Sequence, residues 1–297
     1  MIYDEISSNK RNSIILISVF LVIIILLGYV IGAYLGSMIL GPIIAFLFSI
    51  TFILISYYTG DKLILSMSSA KEVSKKDQPY LVNTIEGLAI AAGIPTPKIY
   101  IIEDSAINAF ASGRDPKHAA ITVTIGALKR LNREELEGVI GHEMSHIKNY
   151  DVRFMMLTVM LVGIIVLLSD LIFRMFWFGP RRNNEKGAGG VLLIILVLGL
   201  VLAILSPLIA QLLKFSISRK REFLADANGA LLTRNPGGLA NALKKIRDDK
   251  EPLVEASNKA TAALFIENPL RKVGGKINSL FSSHPDINLR IQKLEKM

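Results

Sequence analysis

Two histidines four residues apart, with a glutamate directly after the first, form the strongest chemical pattern in the chain. His142, Glu143 and His146 lie in the run Gly-His-Glu-Met-Ser-His, which matches the HExxH pattern. On a helix, residues four apart lie about 40° apart on one face, so both imidazoles can reach one metal ion. Neutral imidazole suits zinc, and a catalytic zinc site keeps one position open for water. Glu143 would then be the general base that takes a proton from that water.

The third ligand has to come from elsewhere in the chain. After His146 the sequence lacks the Gly and His of the longer HExxHxxGxxH pattern. The chain has no cysteine, so any metal must be held by histidines and carboxylates. Glu222 would complete a His₂Glu site for one Zn²⁺ per chain, and Asp226, at i,i+4 spacing, could accept the free N–H of a zinc-bound imidazole. Alternatively, Glu222 pairs with Arg219 or Lys220 on a solvated helix.

The residues around the HExxH pattern predict the elements that position it. Asn132 and Glu135 form a capping-box pattern at the start of the helix that carries the two histidines. Gln78–Ala92 has apolar residues at helical spacing and stops at Gly93, which predicts an earlier helix. Three β-type runs lie between these helices and predict a small sheet: Lys98–Ile102, Asn108–Ala111 and Ala119–Ile125.

The composition predicts a membrane protein. The chain is 51% hydrophobic and 20% charged, with a net charge of +9, and its mean hydropathy is +0.45, which excludes a disordered chain and an ordinary soluble globule. Residues 12–60 contain no charged side chain, and a helix of that length would run roughly 70 Å, about twice a hydrocarbon core. The chain is therefore expected to cross twice, near Ser13–Tyr34 and Met38–Tyr58. A cleaved signal peptide would be shorter and would lack the second span.

A second apolar pair, Phe154–Phe173 and Gly187–Leu213, predicts another hairpin. Asp170 interrupts the first of these segments, and Arg174 is placed to pair with it at i,i+4 spacing. The fold class that follows is an α-helical membrane protein with four hydrophobic helices and an α+β metallopeptidase domain. Its expected parts are an N-terminal transmembrane hairpin, the first part of the peptidase domain, a second hydrophobic hairpin and the second part of the domain: 1–60, 61–153, 154–213 and 214–297.

The basic residues predict the orientation of the chain. Lys10 and Arg11 precede the first span and four lysines follow the second, which puts the N-terminus and residues 61–153 in the cytoplasm. The tip of the second hairpin also carries basic residues, which should resist export. One ion cannot be bound from opposite sides of a membrane, however. Both late segments therefore cross, or neither does, and the depth of this hairpin stays open.

Several other functions compete with a membrane metallopeptidase. Intramembrane proteolysis of the site-2 type would place HExxH inside an apolar span, but charged residues surround it here. A catalytically inactive zinc-binding scaffold or partner subunit has the same ligands, and the intact Glu143 argues against it. A transporter would leave the zinc pattern unexplained. The basic excess flanks apolar segments, where cytoplasmic anchoring and anionic lipid account for it, so no nucleic acid partner is expected.

These patterns together resemble the HtpX family of membrane zinc metalloproteases, which are relatives of the enzymes that trim prenylated CaaX proteins. The resemblance covers nearly the whole chain and includes the two leading spans and four segments: Asn108–Ala111, His142–Asp151, Arg221–Asp226 and Ser283–Arg290. It implies a zincin-like peptidase domain that faces the cytoplasm at the bacterial or archaeal inner membrane. The implied partners are membrane lipid and polypeptide substrates, namely damaged or misfolded membrane proteins.

The resemblance also implies roles for individual residues. Its pattern makes His142, His146 and Glu222 the zinc ligands, Glu143 the general base and Asp226 the acid behind a ligand. The strand of Asn108, Ala109, Phe110 and Ala111 matches the edge against which such enzymes lay an extended substrate. His284 and Arg290 match residues that contact the scissile carbonyl or its developing oxyanion.

For three residues, the local sequence favours a structural interpretation over a role in the site. His284, directly before a proline, is typical of an ordinary surface turn, and His118 receives the same interpretation. Asp151 fits the family motif, but its role is left open, and it could equally cap the junction with the third span.

Overall fold

Two long apolar helices open the chain and pack against each other. In the computed structural model, which describes residues 2–34, 36–178, 219–249, 251, 264–266 and 285–297, α1 is Ile2–Tyr34 and α2 is Leu40–Met67. Their backbones approach closely, because a Cβ at Gly41 would collide with the carbonyl oxygen of Gly28. Both helices are long and apolar enough to cross a membrane, over Glu5–Tyr29 and Leu40–Met67.

The two predicted early spans are confirmed as helices, and α2 extends beyond its predicted end. It continues past the charged pair Asp61 and Lys62 and ends at Met67; Ser68 caps it, and Ser69 adopts a left-handed backbone with φ of 50°. Among the described residues, these two helices meet the length and hydropathy requirement for a membrane span. The predicted third span falls within α6, Asp151–Phe178, whereas the predicted fourth span lies outside the described residues.

A four-stranded sheet follows the membrane helices. Its strands, in chain order β1 to β4, are Lys71–Glu72, Lys98–Ile102, Ala109–Gly113 and Ala119–Thr124, and their order in the sheet is β1-β2-β4-β3. Strands β2 and β4 are parallel, with Ile99 opposite Ile121, and the other two pairings are antiparallel. The three predicted strands are confirmed, but β1 has two charged residues, so its sequence carries no strand pattern.

The remaining helices pack against this sheet or against one another. The predicted helix before Gly93 is α3, Pro79–Ala92, and Gly93 ends it with φ of 69°. The predicted capping box is confirmed, since Asn132 Oδ1 accepts from the Glu135 backbone N–H and Glu135 Oε2 accepts from the Asn132 backbone N–H. Helices α4 and α5 are Ile125–Arg130 and Arg133–Lys148. Helices α7, α8 and α9 are Arg219–Thr233, Pro236–Asp248 and Ile287–Leu294.

Helix α5 lies at the centre of this assembly and contacts α3, α7, α8 and the sheet. Glycines bring its neighbours unusually close. A Cβ at Gly229 of α7 would lie 2.9 Å from the backbone nitrogen of His142, and a Cβ at Gly138 of α5 would lie 2.6 Å from that of Leu239 in α8. The close approach of α7 to α5 carries the late part of the chain to the HExxH residues.

Candidate metal centre

The HExxH residues of α5 lie in the interior of the protein. His142, Glu143 and His146 retain 1%, 2% and 5% of their accessible surface. The imidazole rings stand edge to face, with centroids 4.7 Å apart, and their Nε2 atoms are 3.2 Å apart. The helical spacing of four therefore aims both nitrogens at one point, as the sequence predicts.

Helix α7 brings Glu222 to the same point. Its Oε2 lies 3.7 Å from Nε2 of His142, and its Oε1 lies 3.5 Å from Nε2 of His146. Ligand atoms about 2.0–2.1 Å from a tetrahedral ion are separated by about 3.3–3.4 Å, so the three donors fit one ion. The donor atoms of these three residues all lie within 4.8 Å of one another and could hold a metal. The alternative of a solvated Glu222 does not hold, because the residue is 2% exposed.

A carboxylate faces the other nitrogen of each imidazole. Nδ1 of His142 lies 3.0 Å from Oδ1 of Asp226, and Nδ1 of His146 lies 2.9 Å from Oδ2 of Asp151. These contacts place the ring proton on Nδ1 and leave the Nε2 lone pairs for a metal. The structure thus places Asp151 beside the site, whereas the sequence left its role open although the residue fits the family motif.

Arg290 of α9 is completely buried beside these acids. Its Nε and Nη2 donate to the two oxygens of Asp226 at 2.9 and 2.7 Å, and its Nη1 lies 3.3 Å from Oε2 of Glu222. Burial would raise the pKa of Asp226, but the charge of Arg290 outweighs it and lowers the pKa to about 2. Arg290 thus holds the acid behind His142. Its predicted contact with a scissile carbonyl stays a prediction, and His284 lies outside the described residues.

The protonation of Glu143 and His146 follows from their burial and charged neighbours. Burial raises the pKa of Glu143 above its ordinary value, against the opposing effects of the two imidazoles and the backbone N–H of Ala111. Burial would lower the pKa of His146, but Asp151, Glu222 and Glu143 together raise it to about 9. A carboxylate with a raised pKa is suited to accept and return a proton near neutral pH.

Ala109, Phe110 and Ala111 of the predicted substrate strand lie in β3, at the edge of the sheet beside α5, and Asn108 directly precedes that strand. The backbone N–H of Ala109 donates to Asn108 Oδ1 at 3.0 Å, and the carbonyl oxygen of Ala109 accepts from the backbone N–H of Ile266 at 3.0 Å. The rings of Phe110 and Phe265 pack edge to face at 4.9 Å. The outer edge of β3 is thus already in contact with residues 264–266, which no sequence pattern indicated. His118 pairs with Asp115 at an exposed turn.

A chain with this helix, this distant carboxylate and two apolar helices falls in the class of membrane-associated metalloproteases. Comparison with known proteins agrees: residues 75–297 match the family described as "Peptidase family M48". The chain therefore belongs to peptidase family M48. This assigns it a metal-dependent peptidase activity on polypeptide substrates and gives no support to an inactive scaffold.

Similar proteins cover nearly the whole chain. The chain is 46% identical over 295 residues to a "Protease HtpX homolog" of Dictyoglomus thermophilum, covering 99% of this chain and 94% of the relative. It is 41% identical over 303 residues to the protein of that name in Streptococcus gordonii, with both chains fully covered. The crystal structure of S. mikatae Ste24p shares the fold, with a TM-score of 0.50 and 19% identity over 91% of this chain and 61% of that one.

Proposed function

We propose that the protein is a zinc endopeptidase that hydrolyses peptide bonds of damaged or misfolded membrane proteins. The observation that carries this proposal is the convergence of His142, His146 and Glu222 next to a buried Glu143. The names of the relatives support a protease, and the two apolar helices support a location at the membrane. Damaged or misfolded membrane proteins as substrates are what the family resemblance implies.

The chemistry of the donor set favours zinc over harder or softer metals. Two imidazoles and one carboxylate, without any thiolate, form the His₂Glu set of zinc peptidases. The carboxylates behind both imidazoles are typical of such centres, because they fix the ring tautomer and raise the basicity of the ligand. We therefore propose one Zn²⁺ per chain, held by His142, His146 and Glu222.

Different residues of the chain would have different roles in hydrolysis. A bound Zn²⁺ supplies a Lewis acid that polarises water and the scissile carbonyl. Glu143 accepts the proton of the attacking water and passes it to the leaving amine, with no acyl-enzyme. Asp226 and Asp151 keep the ligand imidazoles in one orientation. By the family resemblance, Arg290 would supply a cation and His284 a hydrogen-bond donor toward the developing oxyanion.

We propose that an extended substrate pairs with the outer edge of β3, at Asn108 to Ala111. The backbone N–H of Ala111 already hydrogen-bonds to Glu143, so this edge borders the general base. Strand addition uses backbone groups and tolerates varied sequences, which suits a protease that acts on many damaged proteins. A substrate that pairs at Ala109 has to displace Ile266 from its carbonyl oxygen.

The membrane arrangement belongs to the same proposal. The late hairpin, residues 154–213, would complete the four hydrophobic helices and return residues 214–297 to the side of residues 61–153, so that both of its segments cross the bilayer or neither does. The peptidase domain would face the cytoplasm at the inner membrane of a bacterium or archaeon. The basic residues beside the first two spans support this orientation.

The test is the substitution Glu143→Gln in detergent-purified protein. We expect bound zinc at the wild-type level and loss of cleavage of a model membrane substrate, because the amide cannot accept the proton of water. Glu137→Gln is the matched control, since Glu137 lies on the same helix and pairs with Arg133 at the surface; it should retain activity. Normal turnover by Glu143→Gln, or no zinc in the wild-type protein, would refute the proposal.

A further inference from the structure

The first membrane helix contributes a buried polar side chain next to the metal centre. Asn9 of α1 is 1% exposed, although it is separated from the HExxH residues by more than 130 positions in sequence. Its Nδ2 donates to Oδ1 of Asp151 at 2.6 Å and to the backbone carbonyl oxygen of Asn149 at 2.9 Å. Burying an amide costs free energy unless the amide is hydrogen-bonded, so these bonds favour one position of α1 relative to the start of α6.

Asp151 connects Asn9 with a proposed zinc ligand. Its Oδ1 accepts from Asn9, with Nε of Arg221 3.5 Å away, while its Oδ2 lies 2.9 Å from Nδ1 of His146. The two oxygens thus have different partners, and the plane of the carboxylate is fixed from both sides. An imidazole bonded to that carboxylate is held in one tautomer and one orientation.

Other contacts hold the same end of α1 against both helices that supply the proposed ligands. Glu5 pairs with Lys220 of α7 at 2.7 Å, two residues before Glu222. The Lys10 ammonium lies 4.4 Å from the ring centroid of Tyr150, which forms the junction between α5 and α6 with φ of 61°. The position of α1 is therefore linked to α5 and α7 together.

From this arrangement we infer that Asn9 is a positioning residue of the metal centre, which acts through Asp151 on His146. The inference rests on the proposed function, because it takes His146 as a ligand. It gives the N-terminal membrane helix a role in metal binding beyond anchoring the chain. A purely structural contact would affect the stability of the fold, whereas a positioning residue also affects metal affinity and ligand geometry.

The experiment compares Asn9→Leu with wild type in detergent micelles, using competition with a chelator for Zn²⁺ and the absorption spectrum of Co²⁺. We expect Zn²⁺ affinity about tenfold weaker and a changed Co²⁺ spectrum, since loss of a partner behind a metal ligand costs about 10–100-fold in affinity. The matched control is Ser13→Ala, one turn further along α1, where a buried hydroxyl donates to the Asn9 carbonyl oxygen. It should bind Zn²⁺ like wild type.

A double variant tests whether Asn9 acts through Asp151. Asp151→Asn alone should weaken Zn²⁺ binding, and adding Asn9→Leu should cause little further loss, because both remove one pathway. Additive losses, or wild-type affinity and spectrum in Asn9→Leu, would overturn the inference. If Asn9→Leu does not fold, Asn9→Ala replaces it; failure of both, with Ser13→Ala folded, would make Asn9 a structural residue only. A wild-type chain without Zn²⁺ affinity would refute the proposed function and this inference together.

Discussion

Single residues decide which nitrogen of each imidazole is available to a metal. Asp226 and Asp151 each face an Nδ1 atom, and the two Nε2 atoms face each other at 3.2 Å. Without the carboxylates, either tautomer would be open to each ring. The helical spacing brings the two rings together, and the two acids determine which nitrogen of each ring offers its lone pair.

The raised pKa of His146 predicts how zinc and pH act together on stability. Because this pKa is about 9 in the fold against an ordinary value of 6.5, the proton stabilises zinc-free protein fully below pH 6.5, and this contribution is lost as the pH rises through 9. Zinc needs the unprotonated ring, so its apparent affinity should rise by up to about tenfold per pH unit in this window. We expect the difference in Tm between zinc-loaded and chelated protein to widen from pH 6.5 to 9.

Differential scanning calorimetry in detergent would measure this difference. His118→Gln is the matched control, because His118 lies at an exposed turn outside the metal centre, and it should leave the widening unchanged. A difference in Tm that is constant across the pH range would show that zinc displaces no proton from the site.

Helical spacing identifies most directly the residues of the site that share one helix. The pair His142 and His146 lies on one face of α5, so the pattern identifies it directly. Asn9 and Arg290, which contact Asp151 and Asp226, come from distant segments. The family resemblance indicates Arg290 as a site residue, but no local pattern indicates either of these buried contacts. Their roles depend on tertiary packing, which a residue pattern does not encode.

At the scale of elements, the contact between α5 and α7 determines whether the carboxylate reaches the imidazoles. Gly229 of α7 touches the backbone of α5 at Gly141 and His142. Glu222 lies about two turns before Gly229 on the same rigid helix. A small displacement at the glycine therefore moves the carboxylate away from the two nitrogens.

We expect Gly229→Ala to weaken Zn²⁺ binding and lower the Tm. Its Cβ would lie 2.9 Å from the backbone nitrogen of His142, so the backbone of one of the two helices would have to move. Gly87→Ala is the matched control: nothing lies within 4 Å of a Cβ at this position in α3, and replacing a helical glycine should stabilise by about 0.5–1 kcal/mol. Chelator competition and calorimetry measure both effects. Wild-type Zn²⁺ affinity in Gly229→Ala would show that the helix contact does not position Glu222.

The elements also show where sequence patterns succeed and where they fail. Alternation and β-branched residues identify β2 and β4, and the capping box identifies the start of α5. The contact of Ile266 with the outer edge of β3 could not be predicted, since it joins segments more than 150 residues apart through backbone groups. Such a bond depends on no side-chain type.

At the scale of the whole molecule, the proposed centre combines a membrane helix with two separate stretches of the peptidase fold. Helix α5 supplies two imidazoles, α7 the carboxylate and α9 the buried guanidinium. Helix α1, which is long enough to span a bilayer, contacts the acid behind one imidazole. Anchoring in the membrane and assembly of the metal site therefore depend on the same packing.

The absence of cysteine makes the orientation of this assembly directly testable, because a single introduced thiol is the only one in the chain. Met38 lies exposed at the turn between α1 and α2, and Lys76 lies exposed beyond the other end of α2. We expect a membrane-impermeant maleimide to label Met38→Cys in intact cells and Lys76→Cys only after permeabilisation, because basic residues stay in the cytoplasm. The unmodified chain is the blank. The reverse labelling would place the peptidase domain outside the cell, and equal labelling of both sites would show that α1 and α2 do not span the membrane.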